Sequence, residues 1–341
     1  MFGYYRFVLA TFVLISHLDF SLQGFNIGVA SVVSFYMLAG YVVCNLLNNV
    51  FTPPRRTIYI RFYIERVLRI YPQYFFVVIL TVLFAFFSGR LPYQENFYIL
   101  LKNILIVPVN YFMFIDISFF TEKQYAVVPI AWSLGLELQA YILLPFIVFY
   151  KNIRAVSSVI SLMVFIAACF GLLHTDYYGY RLLPGVLFIF NVGVSLALAA
   201  NFPDKMSKFD KYFPAILYVL SICLAVILGL FGKVHIPHSI QVIIGILISI
   251  PIITYLSSFD EKVIFNSFMG DLSYGIFLSH YLAIWIVQFS LEVDRGASPY
   301  TFSLLVFLIS LLISIVGITG IERFFKKGRH SMAKNTFLRT R

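Results

Sequence analysis

The chain has 341 residues, of which 61% are hydrophobic and only 12% are charged, and its mean hydropathy is +0.90. So few charges cannot cover the surface of a water-soluble domain, in which roughly a quarter of the residues are charged. The formal net charge is +10, but the lysines and arginines form short clusters between apolar runs, which argues against nucleic acid as a partner. The sequence therefore predicts an integral membrane protein.

Ten apolar runs are long enough to cross the hydrocarbon core of a bilayer, which takes roughly 17 to 25 residues. The first run follows Arg6 and has no small-residue cleavage site, so we interpret it as a retained helix and not as a secretory signal. The three cysteines lie inside apolar runs without metal-ligand spacing, so no metal site is predicted. The predicted spans are 4–23, 26–48, 70–88, 130–150, 153–173, 182–201, 213–231, 237–256, 272–291 and 300–322.

The segment 89–129 is the one long connection between predicted spans. It has mixed polarity and contains three prolines, so we expect short interfacial or re-entrant pieces there. The expected fold is an all-α, polytopic transmembrane bundle of about ten helices. It consists of a membrane domain, 1–322, followed by a basic cytoplasmic tail, 323–341.

The distribution of positive charges predicts the orientation of this bundle. With the N-terminus inside, 19 of the 25 lysines and arginines fall on the cytoplasmic side and 6 on the opposite side. This bias agrees with the positive-inside rule. We therefore expect both termini to be cytoplasmic.

Three ionisable residues, His17, Glu137 and His280, fall within predicted spans, where a charged side chain costs about 2.5–3.5 kcal/mol to insert. His17 and Glu137 lie at similar predicted depths, because the first and fourth spans run in opposite directions. An imidazole oriented by a carboxylate can take the proton from a hydroxyl that attacks a carbonyl. The alternative is that each is a buried hydrogen-bonding residue that only contributes to packing.

Three arginines are candidates for phosphate binding. Arg6 lies eleven residues before His17 and so projects from the same helix face. Arg66 and Arg69 share a face at i and i+3, where the chain enters the bilayer. A guanidinium group suits phosphate, so the three could form a cationic cytoplasmic mouth. The alternative is that these arginines contact anionic lipid headgroups and only fix the topology.

Five segments, in chain order, resemble motifs of acyltransferase family 3, the multi-pass membrane acyltransferases that modify bacterial surface sugars. The first pairs Arg6 with His17 across ten residues. The others read SFYMLAGY at 34–41, RVLRIYP at 66–72, WSLGLELQAY at 132–141 and LSYGIFLSH at 272–280. These segments add further candidate site residues: Tyr36, Tyr71, Trp132, Tyr141, Ser273, Tyr274 and His280.

Two positions depart from the family's pattern. The segment at 34–41 is similar to Phe-Phe-x-x-Ser-Gly-(Phe/Tyr), and Ala39 stands where that pattern has Ser. The Ser is therefore either dispensable or related to the substrate. Phe277 stands where the family often has Tyr, so a hydrogen bond from that position is not expected.

The resemblance implies transfer of an acyl group, most often acetyl from acetyl-CoA, to a hydroxyl of a surface polysaccharide (O-antigen, exopolysaccharide or capsule) or of its lipid-linked precursor at the bacterial inner membrane. It gives catalytic roles to His17 and Glu137 and donor-binding roles to Arg6, Arg66 and Arg69. The implied partners are acyl-CoA, a glycan acceptor and the lipid bilayer. Acetyl-CoA is a substrate here, and no bound cofactor is expected. Many members carry a C-terminal esterase-like domain, whereas this chain resembles the stand-alone members.

An alternative function is a proton-coupled transporter or flippase in which His17 and Glu137 form a proton relay. It predicts paired helices interrupted by Gly or Pro in two halves of the chain, and the sequence shows no such pairing. A purely structural membrane subunit would leave the similar depths of His17 and Glu137 unexplained.

Overall fold

In a computed structural model the chain is a bundle of α-helices, and the part that the structure describes comprises 1–18, 25–49, 55–121, 124–234, 236–259 and 263–326. Within these residues nine helices are long and apolar enough to cross a membrane, and the apolar helix α1 is shorter. The predicted all-α polytopic bundle is therefore confirmed. The predicted tail, 323–341, lies outside the described residues from 327 onward.

Eleven α-helices follow one another in the described residues. They are α1 (Phe2–Ser16), α2 (Ile27–Asn49), α3 (Arg55–Ser88), α4 (Phe97–Ile104), α5 (Ala131–Phe149), α6 (Lys151–Cys169), α7 (Leu183–Asn201), α8 (Lys208–Leu230), α9 (Ser239–Ser257), α10 (Asn266–Phe289) and α11 (Pro299–Gly317). All ten predicted spans have a counterpart among these helices. The short helix α4 is the addition, and it lies within the segment 89–129.

The bundle has two distinct ends. The backbone N–H of Gly3 donates a hydrogen bond of 2.7 Å to the side chain of Asn266, so α1 and α10 begin at the same level. We call this end, where α3 and α6 also begin, the basic end. The opposite end carries the segment 89–129 and is called the loop end. The charge distribution in the sequence predicts that the basic end is cytoplasmic.

Three helices begin earlier than their apolar runs do. α3 begins at Arg55 instead of 70, α8 at Lys208 instead of 213, and α10 at Asn266 instead of 272. Hydropathy falls at each charged residue, but the helical backbone continues, and Arg66, Arg69, Asp210 and Asp271 find charged partners inside the protein. Arg66 and Arg69 are therefore residues of a helix interior and not of a loop before it.

Arg154 ties the basic ends of three helices together. Its side chain is almost completely buried, and two of its nitrogens each donate a hydrogen bond of 2.6 Å to a carboxylate oxygen of Asp210 in α8. It also donates to the carbonyl oxygens of Ile147 and Val148, at 2.6 and 3.1 Å. These carbonyls belong to the last turn of α5, where a helix lacks backbone donors. Arg154 thus fastens α5, α6 and α8.

The segment 89–129 is packed into the bundle. It contains α4 and a 3₁₀ helix, Val107–Tyr111. The buried side chain of Asn103 donates to the carbonyls of Ile99 and Ile117, each at 2.9 Å, and accepts from the N–H of Val127 at 2.8 Å. One amide therefore fixes the course of the chain across this whole segment.

Helices α2 and α7 approach at two glycines. A Cβ atom added at Gly40 would lie 1.9 Å from the carbonyl oxygen of Phe190, and one at Gly193 would lie 1.9 Å from that of Met37. Small residues permit such close approach between membrane helices. The approach brings the ring of Tyr36 into a stack with the ring of Phe190, with centroids 5.0 Å apart.

Substitution Gly40→Ala is expected to lower the thermal stability of the protein, because the added methyl group must push α2 and α7 apart. Overpacking of this kind costs about 1–3 kcal/mol. The matched control is Gly229→Ala in α8, where an added Cβ meets nothing within 4 Å. It should be neutral or stabilising by up to about 1 kcal/mol. Equal melting temperatures of the two variants in detergent would contradict the close approach.

Candidate active site

A cavity of about 580 Å³ lies between α1, α2, α3, α5 and α10. It extends from Asn266 at the basic end to Phe277 in the interior, which is about 16 Å along the axis of α10. Eight of the predicted site residues line it: Arg6, Tyr36, Arg66, Arg69, Glu137, Tyr141, Ser273 and Tyr274. The other four, His17, Tyr71, Trp132 and His280, do not.

Arg66 and Arg69 face the cavity from α3, but each is already paired with carboxylates. Arg66 forms an ion pair with its neighbour Glu65. Arg69 contacts Asp271 and Glu322, each at 2.7 Å. Since all three carboxylates are largely buried, removal of either arginine would take away a positive charge that compensates them inside the protein.

Arg6 differs from the other two arginines. It lines the cavity from α1, and it forms no ion pair or hydrogen bond with any residue in the described part of the chain. Its charge interacts at longer range with Glu137 and with Arg66 and Arg69. Arg6 is therefore the cavity arginine that has its donors available for an anionic ligand.

Glu137 lies on the cavity wall in α5 and accepts a hydrogen bond from the hydroxyl of Tyr141, one turn further along the helix. The guanidinium carbon of Arg66 lies 5.4 Å from the ring centroid of Tyr141. A connected chain of side chains therefore runs from Arg66 through Tyr141 to Glu137. This carboxylate belongs to the arginine-lined cavity.

His17 lies outside this cavity, at the C-terminal end of α1. Its Nδ1 is 2.8 Å from the carbonyl oxygen of Val13, so Nδ1 carries the proton in that hydrogen bond and Nε2 is the basic nitrogen of the ring. The imidazole stacks on that of His280, with centroids 5.0 Å apart, and lies 5.1 Å from the ring of Tyr281. The structure therefore pairs His17 with His280 and does not bring it into hydrogen-bonding contact with Glu137.

An aromatic layer separates the closed end of the cavity from His17. Phe277 lines the cavity, and its ring centroid is 5.9 Å from that of Phe35 and 6.4 Å from that of His280. His280 in turn contacts His17. The cavity thus ends one side chain away from the histidine pair.

The remaining predicted residues support the loop end and α3. The indole of Trp132 lies 4.4 Å from the guanidinium carbon of Arg181. Tyr71 donates to the carbonyl of Leu105 at 3.1 Å. Within the described residues, no three His, Cys, Asp or Glu side chains come together in a way that could hold a metal ion.

The acidic partners of the arginines were not predicted from the sequence. Glu65, Asp271 and Glu322 fall just outside the predicted spans or at their ends, where charge is ordinarily a matter of topology. Asp271 also binds Lys326, at 2.8 Å. Asp271 directly precedes the segment LSYGIFLSH, and Glu65 directly precedes Arg66. This adjacency to the motifs was the signal that the sequence offered.

Fold and cavity together define a multi-pass membrane protein with a buried, arginine-lined site. The acyltransferase domain of acyltransferase family 3 matches residues 3–321, nearly the whole chain, and the chain belongs to this family. It is therefore a membrane acyltransferase. An uncharacterized protein of Aquifex aeolicus (strain VF5) is 34% identical over 214 residues, which are 63% of this chain and 95% of that protein. No solved structure matches the chain.

Proposed function

We propose that this chain is an O-acyltransferase of the bacterial inner membrane. In this proposal it transfers an acyl group, acetyl in the first instance, from acyl-CoA to a hydroxyl of a surface polysaccharide or its lipid-linked precursor. The single observation that carries the proposal is the cavity: its lining includes three arginines, and its closed end lies next to the His17–His280 pair.

The shape and charge of the cavity suit the donor. The phosphates of CoA are at one end of the molecule and the thioester is at the other, at the tip of a thin arm. Phosphates held by Arg6, Arg66 and Arg69 from the basic end would direct the arm toward Phe277. The apolar lining beyond the arginines, which includes Phe35 and Leu134, excludes water from the thioester and so limits its hydrolysis.

In the proposed reaction His17 is the general base. Its hydrogen bond to Val13 fixes the tautomer in which Nε2 can take the proton from the acceptor hydroxyl. The acceptor approaches from the loop end, and the donor from the basic end. The two can meet only when the contact between Phe35 and Phe277 opens, which protects the thioester until an acceptor is bound.

The similar depths of Glu137 and His17 suggested that Glu137 orients His17, but in this proposal Glu137 has another role. Because it shares the cavity with the arginines and binds Tyr141, we assign it to the donor side of the reaction. There its carboxylate can accept hydrogen bonds from the amide N–H groups of the donor's arm, which need partners in an apolar cavity. The alternative of a proton relay from His17 to Glu137 gains no support, since the two contact different residues.

Radiolabelled acetyl-CoA added to sealed membrane vesicles tests the activity and its sidedness together. Inverted vesicles expose the cytoplasmic face, so the proposal expects label on their glycan and none on the glycan of right-side-out vesicles. Inverted vesicles from cells that do not express the chain should remain unlabelled. Transport of glycan without incorporation of label would favour the transporter alternative instead.

The variant Arg6→Gln is expected to raise the KM for acetyl-CoA by at least about 10-fold, because a charge-assisted hydrogen bond to phosphate contributes roughly 1.5–3 kcal/mol. Arg6 is the best of the three arginines for this test, since its removal leaves no carboxylate without a partner. The control is Arg90→Gln, an exposed arginine 3.5 Å from Glu292, which should not change KM. An unaltered KM in Arg6→Gln would remove Arg6 from the donor site.

A further inference from the structure

The cavity face of α2 is hydrocarbon except at one residue. Along this face the cavity is lined by Val32, Phe35, Ala39, Val42 and Leu46, none of which carries a polar side-chain atom. Tyr36 lies on the same face and is the exception. Any hydrogen bond from α2 to a ligand's polar atom in this cavity, other than through the backbone, must therefore come from the hydroxyl of Tyr36.

The hydroxyl of Tyr36 has no partner among the residues that the structure describes. The residue is 3% exposed, and its Oη makes no hydrogen bond with any described residue. A buried hydroxyl without a partner costs about 1–3 kcal/mol. The ring cannot easily turn away to find one, because it is stacked on Phe190 where α2 and α7 approach most closely. Tyr36 lines the cavity, and its Oη, which has almost no accessible surface, is a buried donor without a partner among the described residues. A ligand atom reaches this hydroxyl after a small displacement of the neighbouring side chains.

Tyr36 lies in the inner part of the cavity, away from the basic end. It is ten residues, or about 15 Å of helix, from Leu46 at the mouth, and about one turn from Val32 at the closed end. Its neighbour in sequence, Phe35, contacts Phe277. Under the proposed function this is the part of the cavity that receives the thioester.

We propose that Tyr36 is a catalytic residue whose Oη–H donates a hydrogen bond to the thioester carbonyl oxygen of the donor. This inference rests on the proposed function and adds a stabilising group to it. The bond strengthens as negative charge develops on that oxygen in the transition state.

The proposed reaction has two steps, addition of the acceptor oxygen and departure of the CoA thiol. The acceptor oxygen attacks the carbonyl carbon, its proton passes to Nε2 of His17, and the electron pair of the C=O double bond moves to the oxygen. Tyr36 stabilises that oxyanion and keeps its own proton. The C=O double bond then re-forms as the C–S bond breaks, and the departing sulfur takes the proton from His17. The products are the O-acyl ester and the free CoA thiol.

The substitution Tyr36→Phe tests the proposal because it removes one oxygen atom and retains the stacked ring. The expected result is a fall in kcat for acetyl transfer of about 10²-fold. The KM for acetyl-CoA should hardly change, because the bond matters most in the transition state. The melting temperature should be equal to or above that of the wild type, since a buried hydroxyl without a partner is removed.

The matched control is Tyr41→Phe on the same helix. Tyr41 is equally buried, its Oη accepts a hydrogen bond of 3.0 Å from Asn201, and it does not line the cavity. The kcat of the Tyr41→Phe variant should equal that of the wild type. A Tyr36→Phe enzyme with unaltered kcat, or with a raised KM alone, would overturn the inference while the proposed function stands. Absence of acetyl transfer by the wild-type chain would overturn both.

Discussion

Replacement of His17 by alanine is expected to lower kcat for acyl transfer by about 10²–10⁴, the usual contribution of a general base. The imidazole is held by its hydrogen bond to Val13 and by its stack on His280, so the loss is of a positioned group. The measurement is the rate of acetyl transfer from acetyl-CoA to glycan by purified protein in lipid nanodiscs, at matched protein levels.

A second histidine provides the control for this experiment. His174 is exposed at the loop end and stacks on Tyr177, with ring centroids 3.7 Å apart. The variant His174→Ala should retain the wild-type rate. Wild-type activity in His17→Ala, with normal protein levels, would exclude His17 as the base and direct attention to Glu137.

The variant Arg154→Leu is expected to destabilise the protein by about 3–5 kcal/mol, because it leaves the carboxylate of Asp210 buried without its partner. It also removes the donors to the last carbonyls of α5. The melting temperature in detergent should fall sharply, or the variant should fail to accumulate in the membrane. From the sequence alone Arg154 is one more positive charge on the predicted cytoplasmic side. Its stabilising contact with Asp210 is known only from the structure.

The double variant Arg154→Leu/Asp210→Leu separates this explanation from a general intolerance of the site. With both charges gone no carboxylate is left buried alone, so the double variant should be more stable than the single one. Substitution of the exposed Arg90 should have little effect, as is usual for surface ion pairs. A double variant less stable than Arg154→Leu would contradict the account.

The order of the apolar helices could be predicted from the sequence alone, since each of the ten predicted spans has a helix in the described residues, α1 being shorter than the other nine. Apolar runs of this length have few alternative structures, because every backbone polar group inside a bilayer must be paired within its own helix or a closed barrel. The predicted starts of helices α3, α8 and α10 were less accurate. Hydropathy is lowered by charges such as Arg69 and Asp271, and their pairing across 202 positions of the chain has no local signature.

The arrangement of the candidate site residues was not predicted. Eight of the twelve line one cavity, among them the three arginines and Glu137, and four do not. The pairing of His17 with Glu137 was inferred from depth along the helix axes, and depth does not fix which neighbouring helix a side chain faces. His17 faces α10, where His280 lies, whereas Glu137 is linked through Tyr141 to Arg66 of α3.

The role of Tyr36 was also beyond the sequence. Tyr36 appeared there only as one aromatic residue in a motif, and tyrosines are common throughout this chain. The role proposed for it depends on three structural facts together: its burial, the absence of a partner for its hydroxyl among the described residues, and its place in the cavity lining.

Mass spectrometry of the surface polysaccharide tests the central claim most directly. The glycan should be compared from cells that lack the gene, cells that express the wild-type chain, and cells that express the His17→Ala variant at the same level. We expect an added acetyl group on a sugar only with the wild-type chain. An identical mass spectrum from all three strains, with the wild-type protein present in the membrane, would contradict acyl transfer to surface glycan.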